Sequence, residues 1–194
     1  MKRPEKPPLR KTNPGDFNDP SIPMSHERLI GRLVTRWAKL EATLDDLIWQ
    51  FLDLPLEFGR IITARMDASN KSKMIRALSE MVFDQLLNDY TRDLMDRVDF
   101  LKDERNFVVH GTWGRKNPEG VPIAMSLRSK DTPSTIIAES FDARRMRLLI
   151  RDMDAVKWRL LALFQSAQTW HRKARSQFQE YSSIPLPSPP DQSA

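Results

Sequence analysis

The chain contains no cysteine among its 194 residues, so it can form neither a disulfide framework nor a thiolate metal site. It has only six glycines and no glycine-rich phosphate loop. Its longest apolar runs, such as residues 160–164, are too short to cross a membrane. The N-terminus is charged and proline-rich, without the apolar core of a signal peptide. We therefore expect a cytoplasmic protein in a reducing setting, with no membrane partner.

Positive charge is concentrated towards the C-terminus. The formal net charge is +5, and nine basic and four acidic residues lie between positions 142 and 180, an excess equal to that of the whole chain. A basic surface attracts polyanions such as nucleic acids. A solvated helix face would explain the same pattern equally well.

Proline-rich segments lie at both ends of the chain. Residues 1–24 contain six prolines and residues 183–194 contain four. Neither segment carries enough apolar surface to offset the entropy of ordering, so we predict two disordered tails. The folded domain is then predicted to cover residues 25–182.

Apolar residues recur every three or four positions over most of this domain, which is typical of amphipathic helices. Capping residues and breakers set the expected boundaries. Five helices are predicted, the first capped by Ser25 and the third by Asn70, with approximate ranges 25–52, 57–67, 71–88, 89–110 and 142–180.

The apolar period changes to two between the last two helices. Val121, Ile123, Met125 and Leu127 alternate with other residues, and turn signals flank them. We predict a small β-hairpin or meander at about 112–140. The fold class is therefore an all-α helical bundle with a small β insertion before the long C-terminal helix.

Arg105, Asn106 and His110 lie together at the end of the predicted fourth helix. Arginine binds phosphate through two parallel hydrogen bonds, and histidine exchanges protons near neutral pH. On an unbroken helix Arg105 and His110 project about 140° apart, so they converge only if the helix frays at Gly111 or a second protomer supplies one of them. The alternatives are a paired structural arginine, a C-capping histidine and a solvent-facing asparagine.

Two further residues are candidates for supporting this site. Glu41 flanks the apolar stripe of the first helix and is predicted to hold Arg105 in place, although an ordinary boundary carboxylate fits equally well. Trp113 could stack on a nucleobase, although a tryptophan after a helix is more often part of the core. The acidic residues of the fourth helix lack nearby histidines, so no metal and no cofactor are expected.

The segment from Arg105 to His110 resembles the R-x(4–6)-H motif of the HEPN superfamily (higher eukaryote and prokaryote nucleotide-binding domains). Other features are similar as well. They are the asparagine after the arginine, the position at the end of the penultimate long helix, the first helix around Trp37–Glu41, the β insertion and the closing helix. The resemblance extends over about residues 25–180. It implies a HEPN-like helical bundle acting as a homodimer, with arginines and histidines of both protomers in one cleft.

The resemblance also implies a metal-independent endoribonuclease of a toxin–antitoxin or phage-defence system. His110 would exchange protons with the ribose 2′-OH or the leaving 5′-oxygen, Arg105 would stabilise charge on the phosphorane, and Asn106 would position the phosphate or His110. The implied partners are RNA, a second copy of the chain and an antitoxin protein. The alternative is a non-catalytic HEPN-like module that binds nucleotides or RNA or serves as a dimeric scaffold.

Overall fold

The computed structural model describes residues 22–116, 121–127 and 136–182. Within them the chain forms an all-α helical bundle with a small β insertion, which confirms the predicted fold class. The predictions for both tails and for the two turns of the insertion fall almost entirely outside the described residues. The helices are α1 (Met24–Phe51), α2 (Leu56–Thr63), α3 (Ala68–Val82), α4 (Gln85–His110) and α5 (Ala143–Ser182), and the strands are β1 (Thr112–Lys116), β2 (Pro122–Leu127) and β3 (Ile136–Ser140).

Helix α1 packs along α5, and it also contacts α3 and α4. The apolar stripes of α1, α4 and α5 form one continuous core, which includes the fully buried Leu33, Leu101 and Leu160. Helix α3 pairs antiparallel with α4, as the hydrogen bond between Lys102 and Ser69 shows at one end of the pair. None of the described helices is both long and apolar enough to span a membrane.

The β insertion is a three-stranded antiparallel meander in the order β1-β2-β3. Thr112 pairs with Met125, and Ile123 pairs with Ser140. The change of apolar period in the sequence therefore predicted this element correctly. Because β1 begins two residues after α4 ends, the sheet lies next to the C-terminal end of α4.

Several predicted helix boundaries were wrong. Helix α1 begins at Met24 after Pro23, not after Ser25, and α2 ends at Thr63. Helix α3 is capped by Asp67, whose carboxylate accepts a hydrogen bond from the backbone N–H of Asn70, the residue predicted to be the cap. Aspartate is as strong an N-cap as asparagine and comes first in the chain.

The predicted junction between the third and fourth helices, at residues 88 and 89, was also wrong. Helix α3 ends at Val82, and Phe83 is extended. Asp84 then caps α4 by accepting a hydrogen bond from the backbone N–H of Leu87. The apolar spacing continues across this short break, so periodicity alone did not reveal it.

Helix α2 turns its apolar stripe outwards. Its inward positions are Gly59 and Thr63, and Thr63 accepts a hydrogen bond from the indole N–H of Trp49 in α1. The large apolar residues whose spacing predicted the helix are instead exposed: Phe58 to 60%, Ile61 to 74% and Ile62 to 42%. The sequence pattern located this helix, but it did not show which face is buried.

We expect Gly59→Ala to destabilise the protein by about 1–3 kcal/mol, because overpacking outweighs the better helix propensity of alanine. A Cβ atom at Gly59 would lie 2.5 Å from Cγ of Trp49, so the indole or the helix must move. Gly31→Ala in α1 is the matched control, because a Cβ there meets no atom within 4 Å. The control should gain about 0.5–1 kcal/mol. Urea denaturation measures both, and equal effects of the two substitutions would contradict this packing.

Candidate nucleic-acid site

Arg105, Asn106 and His110 meet at the C-terminal end of α4. Nη1 of Arg105 donates a hydrogen bond of 2.8 Å to Oδ1 of Asn106, and it lies 3.3 Å from Nε2 of His110. Arg105 and Asn106 are half-buried, whereas His110 is exposed. The structure thus brings all three predicted residues of the motif into one cluster within a single chain.

Arg105 and His110 were expected to meet only if α4 frayed at Gly111 or a second protomer supplied one of them, and this expectation was wrong. Helix α4 stays regular through His110, and no second protomer is needed to bring the arginine and histidine together. The long Arg105 side chain spans the angular separation. Gly111 follows with φ −70° and ψ 143°, a conformation open to any residue, and its N–H bonds to the carbonyl of Phe107.

The contact between Arg105 and His110 restricts which group can donate the hydrogen bond. A guanidinium group can only donate hydrogen bonds. Nε2 of His110 can therefore take part in this hydrogen bond only as the acceptor. In this arrangement the lone pair of Nε2 points towards the cation of Arg105, where an anionic group would also bind.

No carboxylate in the part of the chain that the structure describes pairs with Arg105. Among the described residues its hydrogen bonds go to Asn106 and His110, and its Nε atom is buried without a hydrogen-bond partner. Buried polar atoms normally have partners, and exceptions often lie at functional sites. These contacts favour a ligand-binding arginine over the alternative of a structural ion pair.

Glu41 does not lie against Arg105, contrary to our expectation. Its carboxylate accepts a hydrogen bond of 3.1 Å from the indole N–H of Trp37 and lies 3.7 Å from Nζ of Lys71. The buried Lys71 belongs to α3 and also pairs with Asp45 at 2.8 Å. Glu41 thus faces the α3 side of α1, where it helps to neutralise a buried lysine.

Trp113 is part of the packing between the sheet and the helices. Its indole N–H donates a hydrogen bond of 2.9 Å to the carbonyl of Val108. Its ring makes edge-on contacts with the rings of His26 and Phe141, at centroid distances of 6.4 Å and 6.1 Å. Both contacts fit the core interpretation of this tryptophan better than the base-stacking one.

A buried ionic network that the sequence did not predict lies beside the cluster. Glu104 is only 6% exposed, and its carboxylate lies 2.7 Å from Nη2 of Arg145, which also contacts Glu139 at 2.6 Å. Arg145 additionally donates a hydrogen bond to the carbonyl of Ser140 and lies over the ring of Phe141. The network therefore ties α4, β3 and the start of α5 together next to the cluster.

Electrostatics explain why this network is stable. Burial lowers the pKa of Arg145, but Glu104 and Glu139 together outweigh burial, so the pKa lies above its ordinary value. A cation in the first turn of a helix is unfavourable on its own, because the helix dipole is positive there. Asp142 caps this helix by accepting a hydrogen bond from the backbone N–H of Arg145.

One cavity of the described residues lies away from the cluster. A cavity of about 590 Å³ lies between α5 and the junction of α3 and α4, where it is lined by Phe83, Leu87 and Trp170, and it includes neither Arg105 nor His110. Among the described residues, no group of three histidine, aspartate or glutamate side chains is placed to hold a metal ion.

Comparisons with protein-family models, with curated proteins and with solved structures find no match. The chemistry of the Arg105–Asn106–His110 cluster therefore carries the functional proposal.

Proposed function

We propose that this chain is a HEPN-like, metal-independent endoribonuclease that acts as a homodimer. The observation that carries this proposal is the cluster of Arg105, Asn106 and His110, in which the arginine and histidine lie 3.3 Å apart at an exposed helix end. The cluster combines an arginine that no carboxylate of the described residues pairs with, an amide and an imidazole. RNA cleavage through the 2′-OH requires a phosphate-binding cation and a proton acceptor, and this cluster supplies both.

The cleavage step follows from the hydrogen bonds of the cluster. A phosphodiester draws the guanidinium of Arg105 towards its non-bridging oxygens, because a charge-assisted bidentate pair is stronger than the bond to a neutral imidazole. Nε2 of His110 is then free to accept the proton of the ribose 2′-OH. Asn106 remains next to Arg105 and offers its amide N–H groups to the phosphate.

The bonds and protons of this step balance. The 2′-oxygen forms a bond to phosphorus, the bond from phosphorus to the 5′-oxygen breaks, and the leaving oxygen takes up a proton from His110, which the 2′-OH proton has converted to imidazolium. Arg105 stabilises the additional negative charge of the phosphorane. The products are a 2′,3′-cyclic phosphate and a 5′-hydroxyl, and DNA is not cut because it has no 2′-OH.

Exposed arginines near the cluster support RNA as the substrate. Arg144, Arg147 and Arg151 are exposed in the first turns of α5. Arg145 of the same helix contacts Glu104, the residue before Arg105, so this basic segment begins next to the cluster. Phosphate contacts by such arginines would make RNA affinity fall as salt concentration rises.

The resemblance also supports a biological setting for this activity. We propose a cytoplasmic effector of toxin–antitoxin or phage-defence type, restrained by an antitoxin protein. Expression of the full chain without such a partner should then slow the growth of its host. Growth that is unaffected by the wild-type chain, despite cleavage in vitro, would argue against the toxin role and leave the nuclease proposal intact.

The nuclease proposal is tested by incubating the purified full chain with RNA of mixed sequence in excess EDTA. We expect cleavage, with 2′,3′-cyclic phosphate and 5′-hydroxyl ends on the products. A matched oligonucleotide with 2′-deoxyribose at a mapped cleavage position should resist cutting at that position. Cleavage that leaves 5′-phosphate ends, or equal cutting of the deoxy-substituted strand, would contradict the mechanism.

A further inference from the structure

The outer face of α2 is an unpartnered apolar surface. Phe58, Ile61 and Ile62 are all exposed, while the small Gly59 fits against Trp49. Single exposed apolar residues are common, but several adjacent ones on one short helix mark an interaction surface. Ile61, at 74% exposure, is the most exposed residue of this group.

Two opposite charges frame this apolar face. Glu57 lies in the first turn of α2, and Arg65 lies two residues after the helix ends. Within the part of the chain that the structure describes, neither forms an ion pair, although most of the acidic and basic residues in α3 and α4 have partners. Ile61 is equidistant from the two in sequence, four residues from each.

This arrangement is complementary to itself. In a two-fold symmetric contact, a residue on one copy faces a different residue on the other copy, and the reverse pair forms automatically. If two α2 helices pack antiparallel about an axis near Ile61, Glu57 of each copy faces Arg65 of the other. The two ion pairs then flank an apolar centre.

We infer that the outer face of α2 is a homodimer interface, in which the α2 helices of two copies pack antiparallel around Ile61. The inference deepens the proposed function, and its relevance to catalysis rests on that function. Helix α2 leads directly into α3, whose Ser69 accepts a hydrogen bond from Lys102, one helical turn before Arg105. The C-terminal end of α2 therefore leads to the part of the fold that carries the Arg105–Asn106–His110 cluster.

The size of the surface sets the expected strength of the dimer. A stable interface buries about 800 Å² on each partner, which is more than the outer face of an eight-residue helix can supply. Neighbouring side chains must contribute, and we expect a dimer that dissociates on dilution.

Sedimentation of the full chain without RNA over a concentration series tests this interface. The wild-type chain should dimerise, and Ile61→Asp should raise the dissociation constant by at least about tenfold because it places two carboxylates at the axis. Leu86→Asp is the matched control, because Leu86 is 82% exposed in the first turn of α4. It should leave the dissociation constant within about twofold of wild type.

Charge reversal identifies the partner as a second copy and not another protein. Glu57→Arg alone and Arg65→Glu alone should each weaken the dimer, because like charges then face each other, and the double variant should recover most of the affinity. A wild-type chain that is monomeric at every concentration, dimerisation unaffected by Ile61→Asp, or a double variant weaker than either single variant would overturn the inference. A dimer that binds through α2 but cuts no RNA would contradict only the proposed function.

Discussion

Arg105→Ala is expected to reduce the rate of RNA cleavage by about 100- to 1,000-fold, the usual cost of removing one donor that stabilises an oxyanion. The guanidinium group of Arg105, with its two parallel N–H groups, is the part of the cluster that can neutralise the negative charge of the phosphorane. Arg105→Lys keeps the positive charge but loses the two parallel N–H donors, so it should recover only part of the cleavage rate. Single-turnover cleavage of a labelled RNA in excess EDTA measures both variants.

A matched control separates this effect from a general loss of positive charge. Arg172→Ala removes an exposed arginine near the far end of α5, 27 residues after Arg145. We expect it to change the cleavage rate by less than about threefold, through RNA affinity alone. Because Arg105 has no carboxylate partner within the described ranges, Arg105→Ala should also leave the free energy of unfolding within about 1 kcal/mol of wild type. Unfolding of the Arg105→Ala variant would show that the arginine has a structural role.

Arg145→Ala should destabilise the protein by about 3–5 kcal/mol, because it leaves Glu104 buried and charged without its partner. Arg92→Ala is the control, since Arg92 pairs with Glu80 at a site where both side chains are about half exposed. Exposed ion pairs contribute only about 0–1 kcal/mol. Urea denaturation of the two variants should therefore give clearly different midpoints.

The carboxylate of Glu104 provides a second test of the same network. Adding Glu104→Gln to Arg145→Ala removes the uncompensated charge, so the double variant should recover part of the lost stability. A double variant that is less stable than Arg145→Ala, or equal losses in Arg145→Ala and Arg92→Ala, would contradict a buried network at this position.

Strong periodic signals were enough to predict most of the architecture. Leucines and other large apolar residues recur along α1 and α5, so these helices and the core between them follow from amphipathic spacing. The change to a period of two predicted the three-stranded meander. Arg105, Asn106 and His110 were found as a motif because they are close in sequence on one helix.

Contacts between elements could not be predicted in the same way. Glu104 is buried and pairs with Arg145 of α5, whereas Arg105 beside it is only half-buried, and the sequence of α4 alone shows neither fact. Glu41 was assigned to the wrong cation because the sequence does not show that Lys71 of α3 faces it. The orientation of α2 depends on how Gly59 packs against Trp49, which apolar spacing does not report.

The most direct test of the account compares RNA cleavage by the wild-type chain and by His110→Ala in excess EDTA, after both are shown to be folded and equally dimeric. His110 is exposed, so its replacement should leave stability unchanged. We predict cleavage by the wild type and a loss of at least about 100-fold in the variant. Equal rates for the two proteins, or no cleavage of any RNA by the wild type, would contradict the claim that this cluster is a ribonuclease site.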